Sequence, residues 1–157
     1  MNNRIRILVT SDVHGFIYPY SYADGSQQNQ GFAQLSSLIE SLRDENTLLL
    51  DNGDSLEGSP LSFFHYHKHA DEIAPVTTVM RDMHYDYVNI GNHDFNYGED
   101  AMFNHFDHVD APCITANYQY KGVPYGPNYV IRELAGKKIA LIGITTQYTP
   151  HWETKEH

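Results

Sequence analysis

Hydrophobic and polar positions along the chain change between a two-residue period and a helical period, which predicts strands alternating with helices. Residues 4–10 form a β-branched apolar run that ends in a turn, and residues 47–51 repeat that pattern. Between them, the segment 32–42 carries apolar residues at helical spacing. These residues are Phe32, Leu35, Leu38, Ile39 and Leu42. Strands that alternate with helices indicate an α/β fold with a largely parallel sheet flanked by helices.

The rest of the chain continues this alternation. Residues 59–72 are predicted to be a helix, with Ser59 as its N-cap and Pro60 at its first position. The remaining predicted elements are helices at 74–84 and 98–106, strands at 86–90 and 112–117, and two strands within 129–145 joined at Ala135 and Gly136. Two loops rich in tyrosine and glycine, 15–31 and 117–128, lie between these elements.

Side chains able to bind metal ions follow the first four predicted strands. They are Asp12 and His14, then Asp51, Asn52 and Asp54, then Asn92, His93 and Asp94, and finally Asn117. In open α/β sheets, ligands bind beyond the carboxyl ends of the strands. We therefore expect carboxylate, imidazole and amide groups to meet at one edge of the sheet.

The spacing of these groups suits a metal centre. Asp12 and His14 are two residues apart, so on extended backbone they share a face and can chelate one ion, while Asp54 can bridge two ions and Asn92 offers an amide oxygen. Nitrogen and oxygen ligands without sulfur favour Mn, Zn, Fe, Ni or Co over a dedicated Ca site. Two such ions about 3.5–4 Å apart activate water and stabilise phosphoryl displacement. Taken singly, Asp12 or Asp54 is better explained as a turn or capping residue, and only the combination favours a metal site.

Composition narrows the partners and the chemistry. The formal net charge of −10 argues against binding a nucleic-acid polymer, which requires clustered Lys and Arg. Cys113 is the only cysteine, so no intrachain disulfide or thiolate zinc site can form, and its apolar surroundings predict a buried, inert thiol. No apolar run reaches the 18 residues of a membrane span, and no signal peptide precedes the first strand. A cytoplasmic location is expected, or an exported one if a leader has been removed.

Three motifs resemble a known family. "DVHG", "DNGDSLEGSPL" and "GNHDFNYG" are similar, in this order, to the first three motifs of the calcineurin-like metallophosphoesterases. Their flanking residues and "ITAN" resemble the branch that contains 5'-nucleotidases and 2',3'-cyclic-nucleotide 2'-phosphodiesterases. The resemblance covers residues 5–144 and implies the N-terminal half of a four-layer αββα sandwich. Residues 1–157 would then be the N-terminal part of a catalytic domain, with the C-terminal part as its missing partner.

The resemblance also implies roles for residues. Asp12 and His14 would bind the first of two divalent ions, Asp54 would bridge them, and Asn92 would bind the second. Metal-activated hydroxide would attack the phosphorus, and His93 would act as general acid to the leaving oxygen. The family completes this site with later histidines, including a Gly-His-x-His motif, and no Gly-His pair occurs in this sequence. We therefore expect this chain alone to bind metal weakly and to hydrolyse poorly or not at all, whereas the full-length protein is the enzyme.

Asn96 bears on the substrate. Many 5'-nucleotidases carry at this place an aspartate that orients the catalytic imidazole, whereas the cyclic-nucleotide phosphodiesterase branch has asparagine. The sequence thus favours a 2',3'-cyclic-nucleotide 2'-phosphodiesterase or 3'-nucleotidase, with 5'-nucleotidase as the alternative. The carboxylate beside His93 could come from Asp94, which we predict to be catalytic, or from Glu57. Both residues are equally explained as caps of nearby turns.

The other histidines are expected to lie outside the site. His65, His67 and His69 are predicted to occupy a solvated helix face, His105 and His108 the surface of a short helix, and His84 a helix end, while His151 and His157 are left open. A function of another class also stays open, namely a non-catalytic module that binds metal or nucleotide. A flavodoxin-like nucleotide binder is less favoured, because no glycine-rich phosphate loop follows the first strand.

Overall fold

The computed structural model describes residues 4–152. His157, whose role the sequence leaves open, lies outside the described residues. Its α-helices are α1 (Phe32–Leu42), α2 (Pro60–Lys68), α3 (Pro75–Asp82), α4 (Glu99–His108) and α5 (Thr149–Trp152). Its strands are β1 (Arg6–Thr10), β2 (Thr47–Asp51), β3 (Tyr87–Val88), β4 (Gln119–Tyr120), β5 (Val123–Pro124), β6 (Val130–Leu134) and β7 (Lys137–Leu141). A 3₁₀ turn, His93–Phe95, follows β3.

The central sheet is parallel and has the order β1-β2-β3. Leu8 lies opposite Leu49, and Asp51 lies opposite Val88. Because all three strands run in one direction, their carboxyl ends reach the same edge. The predicted α/β class with a parallel sheet and flanking helices is confirmed.

One face of this sheet packs against the helices. Leu49 is fully buried there, together with Phe32 of α1, Met80 of α3 and Met102 of α4. The helical period of α1 places only part of its apolar set inside, since Leu38 remains 55% exposed. The buried set forms the core that holds the strand ends in place.

The opposite face of the sheet carries exposed apolar side chains. Ile7 and Val9 of β1 are 47% and 58% exposed, and Ile142, which follows β7 and lines the same hollow as Val9, is 63% exposed. Side chains alternate between the two faces of a strand, so the residues of β1 that do not contact the helices point this way. Within residues 4–152 this apolar face lacks a covering layer. No helix in the same range has the length and apolar character needed to cross a bilayer.

Most predicted elements form, with shifts at their ends. The bounds of α1 are as predicted, and Ser59 caps α2 by accepting a hydrogen bond from the Ser62 amide at 3.0 Å. The predicted strand 112–117 is reduced to one parallel bridge between Val88 and Cys113. The pairing with β3 does not continue beyond this bridge, because the Ala116 amide donates to the Gly143 carbonyl.

The two hairpins illustrate what local signals can show. The antiparallel pair β6–β7 turns at Ala135 and Gly136, with φ of 49° and 70°, as predicted. A second hairpin, β4–β5, lies inside the predicted loop 117–128 and turns at Lys121 and Gly122, with φ of 51° and 80°. Its strands are only two residues long, which is too short for a periodic signal. Helix α5 was also not predicted.

Candidate metal centre

Three loops at the carboxyl edge of the sheet bring the predicted ligands together. Asp12 and His14 follow β1, and Asp54 follows β2. Each of these three side chains offers a ligand atom, and these atoms all lie within 4.8 Å of one another. The loops are joined by hydrogen bonds from the Asp12 amide to the Gly53 carbonyl (3.0 Å) and from the His14 amide to the Asp54 carbonyl (2.9 Å). The donor set of two carboxylates and one imidazole fits a divalent transition metal.

The backbone is strained at all three of these residues. Asp12, His14 and Asp54 have φ of 55°, 53° and 58°, in the left-handed region that non-glycine residues seldom occupy. Each such residue costs of order 1–3 kcal/mol, and such strain clusters at functional sites. In this conformation the ligand atoms of the three side chains converge on one point.

Two glycines allow the loops after β2 and β3 to approach each other. Gly53 has a φ of 91°, and a Cβ atom placed on it would collide with the main chain of Gly91. A Cβ atom on Gly91 would collide with the Asp54 carboxylate. The sequence predicted sharp turns here, and the structure shows that the requirement is close backbone approach as well as conformation.

The orientation of His14 is set by a main-chain acceptor. Its Nδ1 donates to the carbonyl oxygen of Glu57 at 2.7 Å. Nδ1–H is therefore occupied, and Nε2 is left as the nitrogen that can bind a metal ion. The sequence does not predict this hydrogen bond, because a main-chain carbonyl group is the same in every residue type.

The loop after β3 is tied directly to Asp54. The amide of His93 donates to Asp54 Oδ1 at 2.6 Å, so the 3₁₀ turn begins against this carboxylate. Asn92 immediately precedes the turn and is partly exposed. Its role as a ligand of a second ion stays a prediction.

The ring of His93 lies beside the predicted ligands. Its centroid is 5.3 Å from that of the His14 ring, and its Nδ1 donates to Asn96 Oδ1 at 2.7 Å. The Glu57 carboxylate is 3.9 Å from the same Nδ1. The hydrogen bond to Asn96 is the main cause that raises the pKa of His93, with smaller contributions from the charges of Asp54 and Glu57 and opposition from burial. Asn96 thus takes the orienting position that the sequence suggested.

Asp94 is buried and faces main-chain amides. Its carboxylate accepts hydrogen bonds from the amides of Gly91 (2.8 Å), Asp54 (3.0 Å), Ser55 (2.9 Å) and Leu56 (3.3 Å). Burial raises its pKa to about 6, against the lowering effect of these amides. The carboxylate therefore clamps the loops after β2 and β3 together. Its catalytic role stays a prediction.

Asp51 performs a similar task at the end of β2. Its carboxylate accepts hydrogen bonds from Thr10 Oγ1, the Gly53 amide (3.0 Å) and Ser55 Oγ (3.1 Å). Burial raises the pKa of Asp51 to about 7. Asp51 therefore stabilises the turn that carries Asp54. Asp51 itself is not one of the residues of the ligand cluster.

Two histidine predictions are wrong. His65 is 5% exposed and His105 is 1% exposed, although both were expected at the surface. His65 lies on the inner side of α2 beside Tyr66, and His105 lies on the core side of α4, with its Nδ1 hydrogen-bonded to Thr77 Oγ1 at 2.8 Å. Burial lowers the pKa of His105 to about 3, so it is neutral. Imidazole fills a core position when one nitrogen has a partner, which helical spacing does not reveal.

The surface positions predicted for His67, His69 and His108 are confirmed, whereas Cys113 is less buried than predicted. His67, His69, His84 and His108 are exposed. His69 pairs with Glu72 at 3.0 Å, and His151 lies exposed on α5. Cys113 is a free, half-buried thiol whose pKa burial raises to about 12, in agreement with an inert group.

The fold is of the α/β class, and its site has the donor groups that a metal ion requires. Residues 5–152 match the sequence model of the calcineurin-like phosphoesterases. The chain belongs to the calcineurin-like phosphoesterase family. Proteins of this family use divalent metal ions, and Asp12, His14 and Asp54 form a possible site for one.

Named relatives of the chain act on nucleotides. It is 31% identical over 165 residues to the 2',3'-cyclic-nucleotide 2'-phosphodiesterase/3'-nucleotidase of Haemophilus influenzae, covering 95% of this chain and 25% of that protein. It is 32% identical over 160 residues to the 5'-nucleotidase of Diplobatis ommata, covering 94% of this chain and 26% of that protein. The chain thus spans about a quarter of the length of these two relatives.

A solved structure has the same fold. The crystal structure of the calcineurin-like phosphoesterase YfkN of Bacillus subtilis superposes with a TM-score of 0.82 at 30% identity. The match covers 97% of this chain and 51% of that chain. The fold described here corresponds to the N-terminal half of the phosphoesterase domain, as the sequence predicted.

Proposed function

We propose that the protein containing this chain is a metal-dependent phosphoesterase that hydrolyses nucleotides, most similar to a 2',3'-cyclic-nucleotide 2'-phosphodiesterase/3'-nucleotidase. The observation that carries the proposal is the position of His93. Its ring lies 5.3 Å from that of His14, and its amide is bonded to Asp54, so a general acid adjoins the ligand cluster. The named relatives supply the substrate class.

In this proposal, Asp12 and His14 would hold one divalent ion, Asn92 would hold a second, and Asp54 would serve both. When bound, the ions supply an activated water and neutralise phosphate charge. The left-handed backbone at Asp12, His14 and Asp54 orients these ligands towards one another. The identity of the metal is part of the proposal, and the nitrogen and oxygen donors favour Mn, Zn, Fe, Ni or Co.

His93 supplies the proton that the leaving ribose oxygen needs. Because Nδ1–H donates to Asn96, the proton to be transferred is carried on Nε2 of the imidazolium. Asn96 fixes the ring, and the nearby Glu57 carboxylate favours the protonated ring electrostatically. Asp94 acts, in our proposal, through the loops that it clamps and through its charge, which favours the protonated ring of His93.

The decisive experiment compares variants of the full-length protein on bis-p-nitrophenyl phosphate and on 2',3'-cyclic AMP. His93→Ala should lower kcat for 2',3'-cyclic AMP, whose leaving group is a ribose oxygen, by about 10²–10⁴-fold with bound metal retained, the range for loss of a general acid. Asp12→Asn should instead lower the metal content. An unchanged rate in His93→Ala would overturn the assignment of the general acid.

A 5'-nucleotidase is the second candidate, favoured by the Diplobatis ommata relative. Comparing kcat/KM for 2',3'-cyclic AMP, 3'-AMP and 5'-AMP separates the two. A preference for the first two supports the phosphodiesterase, and a preference for 5'-AMP supports the nucleotidase. Retained metal or nucleotide binding without turnover of any of them would support a non-catalytic module.

A further inference from the structure

Tyr85 places a buried hydroxyl group next to the carboxyl ends of β1 and β2, and the proposed reaction does not use it. The side chain is 4% exposed and belongs to the hydrophobic core. Its hydroxyl oxygen lies 2.8 Å from Oγ1 of Thr10, the last residue of β1, which is also buried. A hydroxyl group that has lost its water needs such a partner. The partner here belongs to the strand that leads to Asp12 and His14.

The hydrogen bonds continue from Thr10 to the end of β2. Thr10 Oγ1 donates to Asp51 Oδ2. The other oxygen of this carboxylate accepts from the Gly53 amide (3.0 Å) and from Ser55 Oγ (3.1 Å), which belong to the residues on either side of Asp54. A continuous series of hydrogen bonds therefore ends at the turn that carries a predicted metal ligand. We call the side chains of Tyr85, Thr10 and Asp51 the strand-end network.

The direction of these hydrogen bonds follows from the groups that make them. Burial raises the pKa of Asp51 to about 7, so above that pH its carboxylate is ionised and only accepts. The single proton of the Thr10 hydroxyl is then given to Asp51, and the Thr10 oxygen is left to accept from Tyr85. Burial raises the pKa of Tyr85 above its usual range, so the phenol keeps the proton that it donates.

The strand-end network reaches both loops that supply the first metal ligands. Thr10 stands two residues before Asp12, and Asp51 stands three residues before Asp54. The Thr10 carbonyl also accepts from the Asn52 amide at 2.8 Å, so the two strand ends are joined through main chain and side chain together. The ligand atoms of Asp12 and Asp54 lie within 4.8 Å of each other, and the relative position of the two strand ends sets this separation. Residues that support metal ligands in this way tune metal affinity.

We propose that Tyr85 is a positioning residue of the metal centre, which acts through Thr10 and Asp51 to fix the loop of Asp12 against the turn of Asp54. The proposal rests on the metal centre of the proposed function. The Tyr85 hydroxyl contributes the hydrogen bond that keeps the Thr10 hydroxyl directed at Asp51. Without this bond the Thr10 hydroxyl is free to turn, and the two loops lose a constraint on their separation.

The test measures the dissociation constant of Mn²⁺ for variants of the full-length protein at about pH 8, where Asp51 is ionised. Tyr85→Phe removes one oxygen atom and should weaken Mn²⁺ binding about threefold, less than the loss of a direct partner of a ligand. Thr10→Val removes the hydroxyl group that bonds to Asp51 and should weaken Mn²⁺ binding about tenfold. Thr10→Ser keeps that hydroxyl and should bind Mn²⁺ within about twofold of the unaltered protein.

Tyr87→Phe is the matched control. Tyr87 is also buried, at 9% exposed, but its hydroxyl accepts from Arg132 at 3.2 Å and lies outside the strand-end network. This variant should leave the dissociation constant within about twofold. An unchanged Mn²⁺ affinity in Tyr85→Phe, or an equal loss in Tyr87→Phe, would overturn the proposal. Tyr85→Phe decides the matter even if Thr10→Val does not fold, and far-UV circular dichroism shows which variants are folded.

A second measurement needs no bound metal. Hydrogen–deuterium exchange of the metal-free full-length protein is followed by mass spectrometry in peptides that contain Gly53, whose amide donates to Asp51. Exchange of this amide should be about threefold faster in Tyr85→Phe and unchanged in Tyr87→Phe, because Asp51 then holds the turn less firmly. Equal protection in Tyr85→Phe and the unaltered protein would contradict the link from Tyr85 to the turn.

Failure of the positioning role and failure of the enzyme can be told apart. If the full-length protein hydrolyses bis-p-nitrophenyl phosphate but Tyr85→Phe binds Mn²⁺ as the unaltered protein does, the positioning role alone is refuted. If Tyr85→Phe binds Mn²⁺ more weakly but the unaltered protein hydrolyses no phosphoester, the proposed function is refuted. Tyr85 then remains a positioning residue of a metal-binding protein.

Discussion

The side chains of His93 and Asn96 are joined by a hydrogen bond of 2.7 Å from Nδ1 to Oδ1, which points His93 Nε2 away from the bond. Asn96 holds the ring as an aspartate would but contributes no charge. The Glu57 carboxylate lies 3.9 Å from His93 Nδ1. Orientation and charge thus come from two different residues.

Asn96→Asp in the full-length protein should raise the pKa of His93 further, because a carboxylate stabilises imidazolium. The general acid then stays protonated to higher pH, so the alkaline limb of the kcat/KM profile should move up by about 1 pH unit. Asn96→Ala removes the main cause of the raised pKa and should move this limb down.

Glu57→Gln is the contrasting variant. It keeps the main-chain carbonyl that orients His14 and removes only the charge, which is partly exposed. We expect a smaller downward shift than in Asn96→Ala, and one that shrinks at high salt. An identical pH profile in Asn96→Asp and the unaltered enzyme would contradict the role given to Asn96.

Asp94→Ala should lower the free energy of unfolding of this chain by about 3 kcal/mol or more, because four amides lose a buried charged acceptor. Asp94→Asn should cost less, since one acceptor oxygen remains. Urea denaturation measures both, with exposed Asp107→Asn as a control expected to stay within about 0.5 kcal/mol. Unchanged stability combined with lost turnover would instead support a direct catalytic role for Asp94.

The pKa of about 3 at His105 predicts a specific pH dependence of stability. Its folded pKa lies below its unfolded value of about 6.5, so its contribution is complete above that pH and is lost as the pH falls towards 3. Between pH 7 and pH 5 this loss is about 2 kcal/mol.

The variant His105→Gln should be less stable at pH 7, but its decline from pH 7 to pH 5 should be about 2 kcal/mol smaller. Denaturant titrations at both pH values measure this difference, with exposed His108→Gln as the control on the same helix. Equal declines in His105→Gln and the unaltered protein would show that His105 does not titrate in this way.

The exposed apolar sheet face predicts a dependence on the rest of the domain. In this chain, Val9→Thr and Ile142→Thr should each change stability by no more than about 0.5 kcal/mol, because both side chains are mostly exposed. If the C-terminal half of the domain covers this face in the full-length protein, each variant should there cost about 1 kcal/mol or more.

Leu49→Ala provides the reference, since Leu49 is fully buried and should cost about 2–5 kcal/mol in either protein. Equally small effects of Val9→Thr and Ile142→Thr in both proteins would mean that this face stays uncovered.

The sequence by itself determined the order of the elements from β1 to α4, the parallel sheet and the edge at which the polar residues meet. These follow from periodicity and from the direction of strands, which are local properties. The motifs around Asp12, Asp54 and His93 also indicated the family, because the type and spacing of ligand residues are properties of short segments.

Only the tertiary structure decided which polar residues serve the site and which serve the loops. Asp94 and Asp54 look alike in sequence, yet Asp94 faces four main-chain amides while Asp54 joins the ligand cluster. His105 and His108 share one helix, yet only His105 is buried. These differences depend on contacts between residues distant in the chain, and main-chain partners and burial leave no trace in residue identity.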